Sequence, residues 1–180
     1  MPRYVAFLRG VNVGGIKVEM APLRAMFDGL GFESVRTVLA SGNVVFETDR
    51  TGRAKLKSDI EAALREAFGY DAWIVLLDTD TVERIVDAYP FDAEREGYQP
   101  YVLMASDPSA LDELMALRDE LDPALERIQL GRPDEGTAVL YWEVERGQTL
   151  HSMFGKATGK KKYKATTTNR NLRTLRKVLG

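Results

Sequence analysis

Val35-Arg36-Thr37-Val38-Leu39-Ala40-Ser41-Gly42-Asn43-Val44-Val45-Phe46 sets two short β-rich runs, Val35 to Leu39 and Val44 to Phe46, on either side of Ser41-Gly42-Asn43. The Gly-Asn pair in that segment suits a tight II′-like hairpin turn. Working outward, Tyr4 to Leu8 is an apolar strand, followed by a glycine-rich loop and a helix from about Met20 to Leu30 that Gly31 ends. On the other side, Leu56, Ile60, Ala63, Leu64 and Ala67 recur at three- and four-residue steps, the spacing of a helix with one buried stripe. Trp73 to Leu77 supplies a further strand. The element order around the hairpin is therefore βαββαβ.

The pattern starts again downstream. A connector helix over Thr81 to Ala88, with Asp80 and Glu83 spaced like a capping box, ends before Tyr89-Pro90. A strand at Tyr101 to Ala105 precedes a helix at Ser109 to Leu121, which Asp107 caps ahead of Pro108 at the first helical position. Strands at Leu125 to Leu130 and Ala138 to Val144 flank the turn Arg132 to Gly136; a short helix near Gln148 to Phe154 and a terminal helix at Asn169 to Leu179 follow. The expected fold is α+β: two tandem ferredoxin-like (βαββαβ) units, the second incomplete for want of a last strand, plus a C-terminal helix. The expected domains are 1–95, with the connector helix, and 96–180, with the basic terminal helix.

With 180 residues and 44% apolar content, the chain has material for one sizeable core or two small ones. It has no cysteine, which excludes disulfides, a thiolate nucleophile and Cys-ligated metal, and favours a reducing compartment; the expected location is cytoplasmic. No apolar stretch approaches the roughly 20 residues that span a bilayer, so no membrane partner is expected. The formal net charge of −2 conceals a segregation: His151 to Gly180 holds nine Lys and Arg and no acid, while all 27 Asp and Glu lie upstream. Such a tail meets an anionic partner or folds back onto its own acidic body.

The loop Arg9-Gly10-Val11-Asn12-Val13-Gly14-Gly15-Ile16-Lys17 joins the first strand to the first helix, where α/β proteins often hold phosphates on backbone N–H groups. It is not G-x-G-x-x-G. Gly10 and Gly15 have Walker-like spacing, but Ile16 displaces the lysine. The competing reading is that the glycines serve a tight connection. In the terminal helix, Leu172, Leu175, Val178 and Leu179 share one arc, with Arg170, Arg173, Arg176 and Lys177 beside them. Arg170 stands in the first turn against the macrodipole, with Thr166 to Thr168 upstream as hydroxyl donors and N-cap. Lys160, Lys161 and Lys162 read as a basic loop of the kind that touches nucleic-acid phosphates. His151, the single histidine, makes a poor metal centre without Cys partners, so no metal is expected. No G-x-S-x-G elbow exists. Tyr4, Phe7, Phe46, Tyr101, Tyr141 and Trp142 fall on strands, as base-stacking rings do in RNA-recognition sheets, but core packing accounts for them better.

Three stretches carry a resemblance. Ala6-Phe7-Leu8-Arg9-Gly10-Val11-Asn12-Val13-Gly14-Gly15, Leu39-Ala40-Ser41-Gly42-Asn43-Val44-Val45-Phe46 and Arg170-Asn171-Leu172-Arg173-Thr174 look like the signature of the domain of unknown function 1697 family, with Leu172 where that family commonly has tryptophan. The resemblance implies a small cytoplasmic bacterial protein of two ferredoxin-like halves and assigns it no reaction. It also suggests that the three segments are functional neighbours framing an anion-binding cleft between the halves. Arg9, Lys17 and Arg170 would be its charge partners, Asn12, Ser41, Asn43 and Asn171 its neutral donors, and Gly14 and Gly15 its loop backbone. The expected function is binding of an anionic ligand, a phosphorylated small molecule or nucleic acid. One alternative is a small enzyme acting on a phosphorylated or carboxylated metabolite through Lys17, Ser41 or Asp78; another is an interaction protein whose basic tail docks on an acidic body. Neither catalytic residues, a cofactor nor an oligomeric state follows from the sequence.

Overall fold

The computed structural model describes residues 1–9, 17–39 and 42–180. The chain forms two compact units, one of residues 1–80 with 177–180 and the other of residues 81–176.

In the first unit the strands are β1 (Arg3–Leu8), β2 (Glu33–Val38), β3 (Asn43–Glu47) and β4 (Ile74–Asp78), and the helices are α1 (Met20–Gly29) and α2 (Arg53–Phe68). The strands form an antiparallel sheet in the order β2-β3-β1-β4, the ferredoxin-like arrangement expected from βαββαβ. Tyr4, Ala6 and Leu8 of β1 join Val44, Phe46, Ile74 and Leu76 in the helix-side core. Val5 and Phe7, on the opposite face, are fully buried as well. Burial on both faces explains why β1 reads as a continuous apolar run rather than an alternating one. The α2 stripe is narrower than its periodicity implies: Leu56, Ile60 and Leu64 are buried, while Ala67 is exposed. Gly69 ends α2 in the left-handed conformation at φ 67°. An aromatic cluster fills the core's centre, with Phe32 and Phe46 stacked at 4.4 Å and Phe27 tilted against Phe46 at 5.5 Å.

The hairpin differs from the tight turn expected. Val38 pairs directly with Asn43, so the connection spans four residues, 39 to 42, and Asn43 is the first residue of β3. Its buried amide Nδ2 donates to the Val38 carbonyl at 2.9 Å, which draws Asn43 into the ladder. Ala40 and Ser41, in the middle of that connection, lie outside the described residues.

The second unit opens with α3 (Thr79–Asp87), whose first two residues belong to unit one, and continues through β5 (Tyr98–Ala105), α4 (Pro108–Met115), a 3₁₀ turn (Arg118–Glu120), β6 (Glu126–Asp134), β7 (Thr137–Glu145), α5 (Met153–Thr158), α6 (Lys161–Lys164), β8 (Thr167–Asn171) and α7 (Leu172–Leu179), whose residues from Lys177 on belong to unit one. Its sheet order, β6-β7-β5-β8, repeats that of the first. The second unit thus has the last strand that the sequence reading lacked. β-branched Thr167 and Thr168 pair with Ala105 and Met104, and the strand runs on through Asn169 to Asn171, where the terminal helix was expected to begin. Asn171, not the threonine run, caps that helix by accepting from the Arg173 N–H at 2.9 Å. Asp107 caps α4 through Ser109 with Pro108 at the first position, as expected. Lys161 and Lys162 open a single helical turn rather than a loop, with Lys160 as its extended N-cap residue: Lys164 N–H donates to Lys160 carbonyl at 2.8 Å, and Tyr163 packs on the core. Glu126, buried in this unit, accepts from Trp142 Nε1 at 3.0 Å and from the Phe154 N–H at 3.2 Å. Among the described residues no helix is long and apolar enough to cross a membrane.

Gly155 and Gly159 give a paired test. A Cβ on Gly155 would overlap the Thr149 carbonyl oxygen, a backbone atom, whereas one on Gly159 meets only Gly155 and Lys156 carbonyls at 3.5 Å with ordinary φ. Gly155→Ala is expected to destabilise by about 2 kcal/mol or more and Gly159→Ala to be neutral or stabilising by up to about 1 kcal/mol, read from urea unfolding curves.

Candidate anion-binding site

Arg9 follows β1 directly. The preceding Leu8 donates its N–H to the Gly42 carbonyl at 2.9 Å, and Arg9 donates its own to the Trp73 carbonyl at 3.3 Å. Together with the Phe7–Asn43 pairing, these bonds bring the end of β1, Arg9 and Gly42 to one end of the sheet. Two of the three segments singled out in the sequence therefore meet within one unit. Asn12, Gly14, Gly15 and Ser41 lie outside the described residues.

The Arg9 side chain is half-buried, and its Nε is shut off from solvent with no hydrogen-bond partner among the described residues. Withdrawal of the guanidinium from water lowers its pKa from the ordinary arginine value. Among the described residues Arg9 has no carboxylate partner, unlike Arg3 with Glu47 or Arg53 with Asp78. A desolvated cation with an unused donor is costly. Lys17, at the far side of the loop, is exposed and only 3.9 Å from Glu19, a loose surface pair.

Asn43 is spent on holding the hairpin, as described. Asp78 pairs with Arg53 at 3.0 Å and sits opposite Tyr4, whereas Asn43 sits opposite Phe7 and Arg9 lies past Leu8. Five residues of strand place Asp78 roughly 16 Å from Arg9. Asp78, one of the alternative acid–base candidates, therefore lies at the other end of the sheet from Arg9.

In the second unit Arg170 donates through Nη1 to Thr168 Oγ1 at 2.6 Å and to the Asn169 carbonyl at 3.0 Å. Asn171 has both ends of its amide engaged, Oδ1 as the α7 cap and Nδ2 on Gln99 Oε1 at 3.2 Å. Lys162 pairs with Glu113 at 2.7 Å, and that carboxylate, which also accepts from the Tyr163 hydroxyl, is held below the usual glutamate range by Lys162 first and Tyr163 second. Arg176 pairs with Glu94 at 3.0 Å. Lys160 and Lys161 are exposed and without an ion pair among the described residues. The tail's charge is thus partly met by carboxylates of its own unit. The strand aromatics are core: Phe7, Phe46, Tyr141 and Trp142 are at most 2% exposed, and Tyr4 and Tyr101 pack at the edges of the two cores. None forms an open stacking platform.

The model of a family described as "protein of unknown function (DUF1697)" matches residues 1–133, which include the Arg9 loop and the 39–46 hairpin. The chain belongs to this family. A solved structure, the conserved bacterial protein SP0830 from Streptococcus pneumoniae, aligns over 98% of this chain and 96% of its own at 24% identity with a TM-score of 0.78, a likeness of fold. An unknown protein from Galdieria sulphuraria aligns over 94% and 96% at 12% identity with a TM-score of 0.26. No curated protein matches the chain.

The hairpin role of Asn43 makes a separate prediction. Asn43→Ala leaves the buried Val38 carbonyl without its donor and is expected to cost about 1 to 3 kcal/mol, measured by chemical denaturation.

Proposed function

We propose that this protein binds a small phosphorylated ligand through Arg9 at the end of the first sheet, with backbone and side-chain donors of the adjoining segments completing the shell. The observation that supports it most is the buried, unpartnered Nε of a half-desolvated guanidinium. An arginine kept only for stability would have been satisfied by a carboxylate or carbonyl. One whose fork faces phosphate gains charge-assisted, bidentate hydrogen bonds when the anion arrives. Asn12, Gly14, Gly15, Lys17 and Ser41 stay in the proposal as donors flanking Arg9, and the cysteine-free composition supports a cytoplasmic setting. For nucleic acid the support is weaker: the sheet aromatics are buried and Lys162 is tied to Glu113.

Thermal-shift titrations of the wild type and Arg9→Met against inorganic phosphate, pyrophosphate, nucleoside phosphates and short RNA test this. The wild type is expected to melt higher with a phosphorylated small molecule, by the equivalent of about 2.7 kcal/mol at 100 times Kd. Arg9→Met is expected to be more stable than wild type without ligand, by about 1 to 2 kcal/mol, because it removes an unpaired buried donor and its charge, and to lose the ligand response. A less stable Arg9→Met, or one that keeps the response, contradicts the reading.

A further inference from the structure

The second unit holds a cleft of about 590 Å³ at the free edge of β6, in the size range of small-molecule sites. Its apolar wall is Pro90, Phe91, Leu121 and Pro123, and its cations are Arg118 and Arg127; Ile128, with its side chain in the core, lines it by its backbone. Among the described residues β6 pairs only with β7. The Leu125 carbonyl accepts from the Glu145 N–H, while the Glu126 N–H turns the other way to the Asp122 carbonyl. By the alternation of an antiparallel ladder, Ile128 directs its N–H and carbonyl to the free edge, where the cleft lies.

Arg127 is held rigidly. Its Nε and Nη2 donate to one oxygen of Glu143, at 3.1 and 2.8 Å, and its guanidinium stacks over the Phe91 ring at 4.6 Å. Arg95 donates to the same Glu143 oxygen at 2.8 Å and stacks on Tyr98 at 3.6 Å. The other Glu143 oxygen is buried without a partner, in a side chain only 2% exposed. A single carboxylate therefore fixes two guanidinium groups at the expense of one of its own oxygens. This leaves the cluster with one net positive charge, and Arg127 Nη1 has no bond among the described residues. Within the cleft the carboxylates of Asp119 and Glu126 balance the charges of Arg118 and Arg127, but Glu126 has both oxygens turned to Trp142 and Phe154. The unused Nη1 of Arg127, beside an apolar wall, is the donor left for an anion.

We propose that this cleft is a second ligand site, independent of Arg9, which takes a small organic monoanion: a carboxylate paired to Arg127 and Arg118, with an aromatic or aliphatic body on the Phe91, Leu121 and Pro123 wall. Glu143 is a positioning residue here, acting by holding Arg127 flat against Phe91.

Amide-resolved NMR titration with 4-phenylbutyrate, and with the neutral 4-phenylbutan-1-ol for comparison, tests the site. The acid is expected to produce saturable shifts confined to Phe91, Ile128, Gln129 and their neighbours at millimolar concentration, and the alcohol none that saturate there. Arg118→Glu, an exposed change that leaves the core intact, and Arg127→Lys, which keeps the charge but not the fork, are each expected to weaken the acid at least tenfold, and Arg9→Met to leave it unchanged. Shifts that are absent or fall elsewhere, an alcohol that binds as well as the acid, or Arg118→Glu and Arg127→Lys proteins that bind undiminished would each overturn the proposal.

Discussion

A guanidinium drawn out of water at the end of β1, with its Nε buried and unused, is the constraint on which the functional account depends. Arginine does not neutralise itself as a buried lysine does, so its charge stays in place while its hydration is lost. Such a position persists in a folded chain because the surrounding sheet over-determines it. Strand β1 is fixed on one side by β3 and on the other by β4, and the Leu8 and Arg9 N–H groups are anchored to Gly42 and Trp73. The stability that this costs is supplied elsewhere in the unit, by the Phe27, Phe32 and Phe46 cluster and the Leu56, Ile60, Leu64 stripe.

The second unit shows the same economy with a different device. Around Arg127 the charge is compensated locally, but by one Glu143 oxygen shared between two arginines, so orientation is achieved at the cost of an unpaired oxygen. Glu126, by contrast, has both oxygens satisfied and serves only to tie β6, β7 and α5 together. The two buried carboxylates of one sheet thus have different roles, separable by whether their hydrogen-bond capacity is exhausted.

Most of the fold is legible in the chain because local pattern and tertiary packing agree. The apolar run of β1, the three- and four-residue steps of α2 and the Asp107-Pro108 helix start each describe a position that the structure uses in that way. Disagreement arises where two signals compete. At 169–171 the amphipathic register of α7 extends backwards through residues that sheet pairing claims, and Asn171 rather than the threonine run takes the cap. At 39–43 the Gly-Asn dipeptide suggests a two-residue turn, but burial of Asn43 makes its side chain part of the ladder. The candidate site was legible in its components: Arg9 and the hairpin stand out by residue type and meet at one sheet end. The cleft at β6 was not, because Arg127, Phe91 and Glu143 are far apart in sequence and each is unremarkable alone; only the register of β6 on β7 and the return of the 89–98 segment bring them together.

The most direct test of the central claim is the Arg9 Nε–H signal in ¹H–¹⁵N NMR, followed through a titration with pyrophosphate. The account predicts a resolved signal that exchanges with water more slowly than that of exposed Arg173 and moves saturably downfield as the anion binds. A signal that exchanges as fast as Arg173, or one that stays in place at every pyrophosphate concentration, contradicts it.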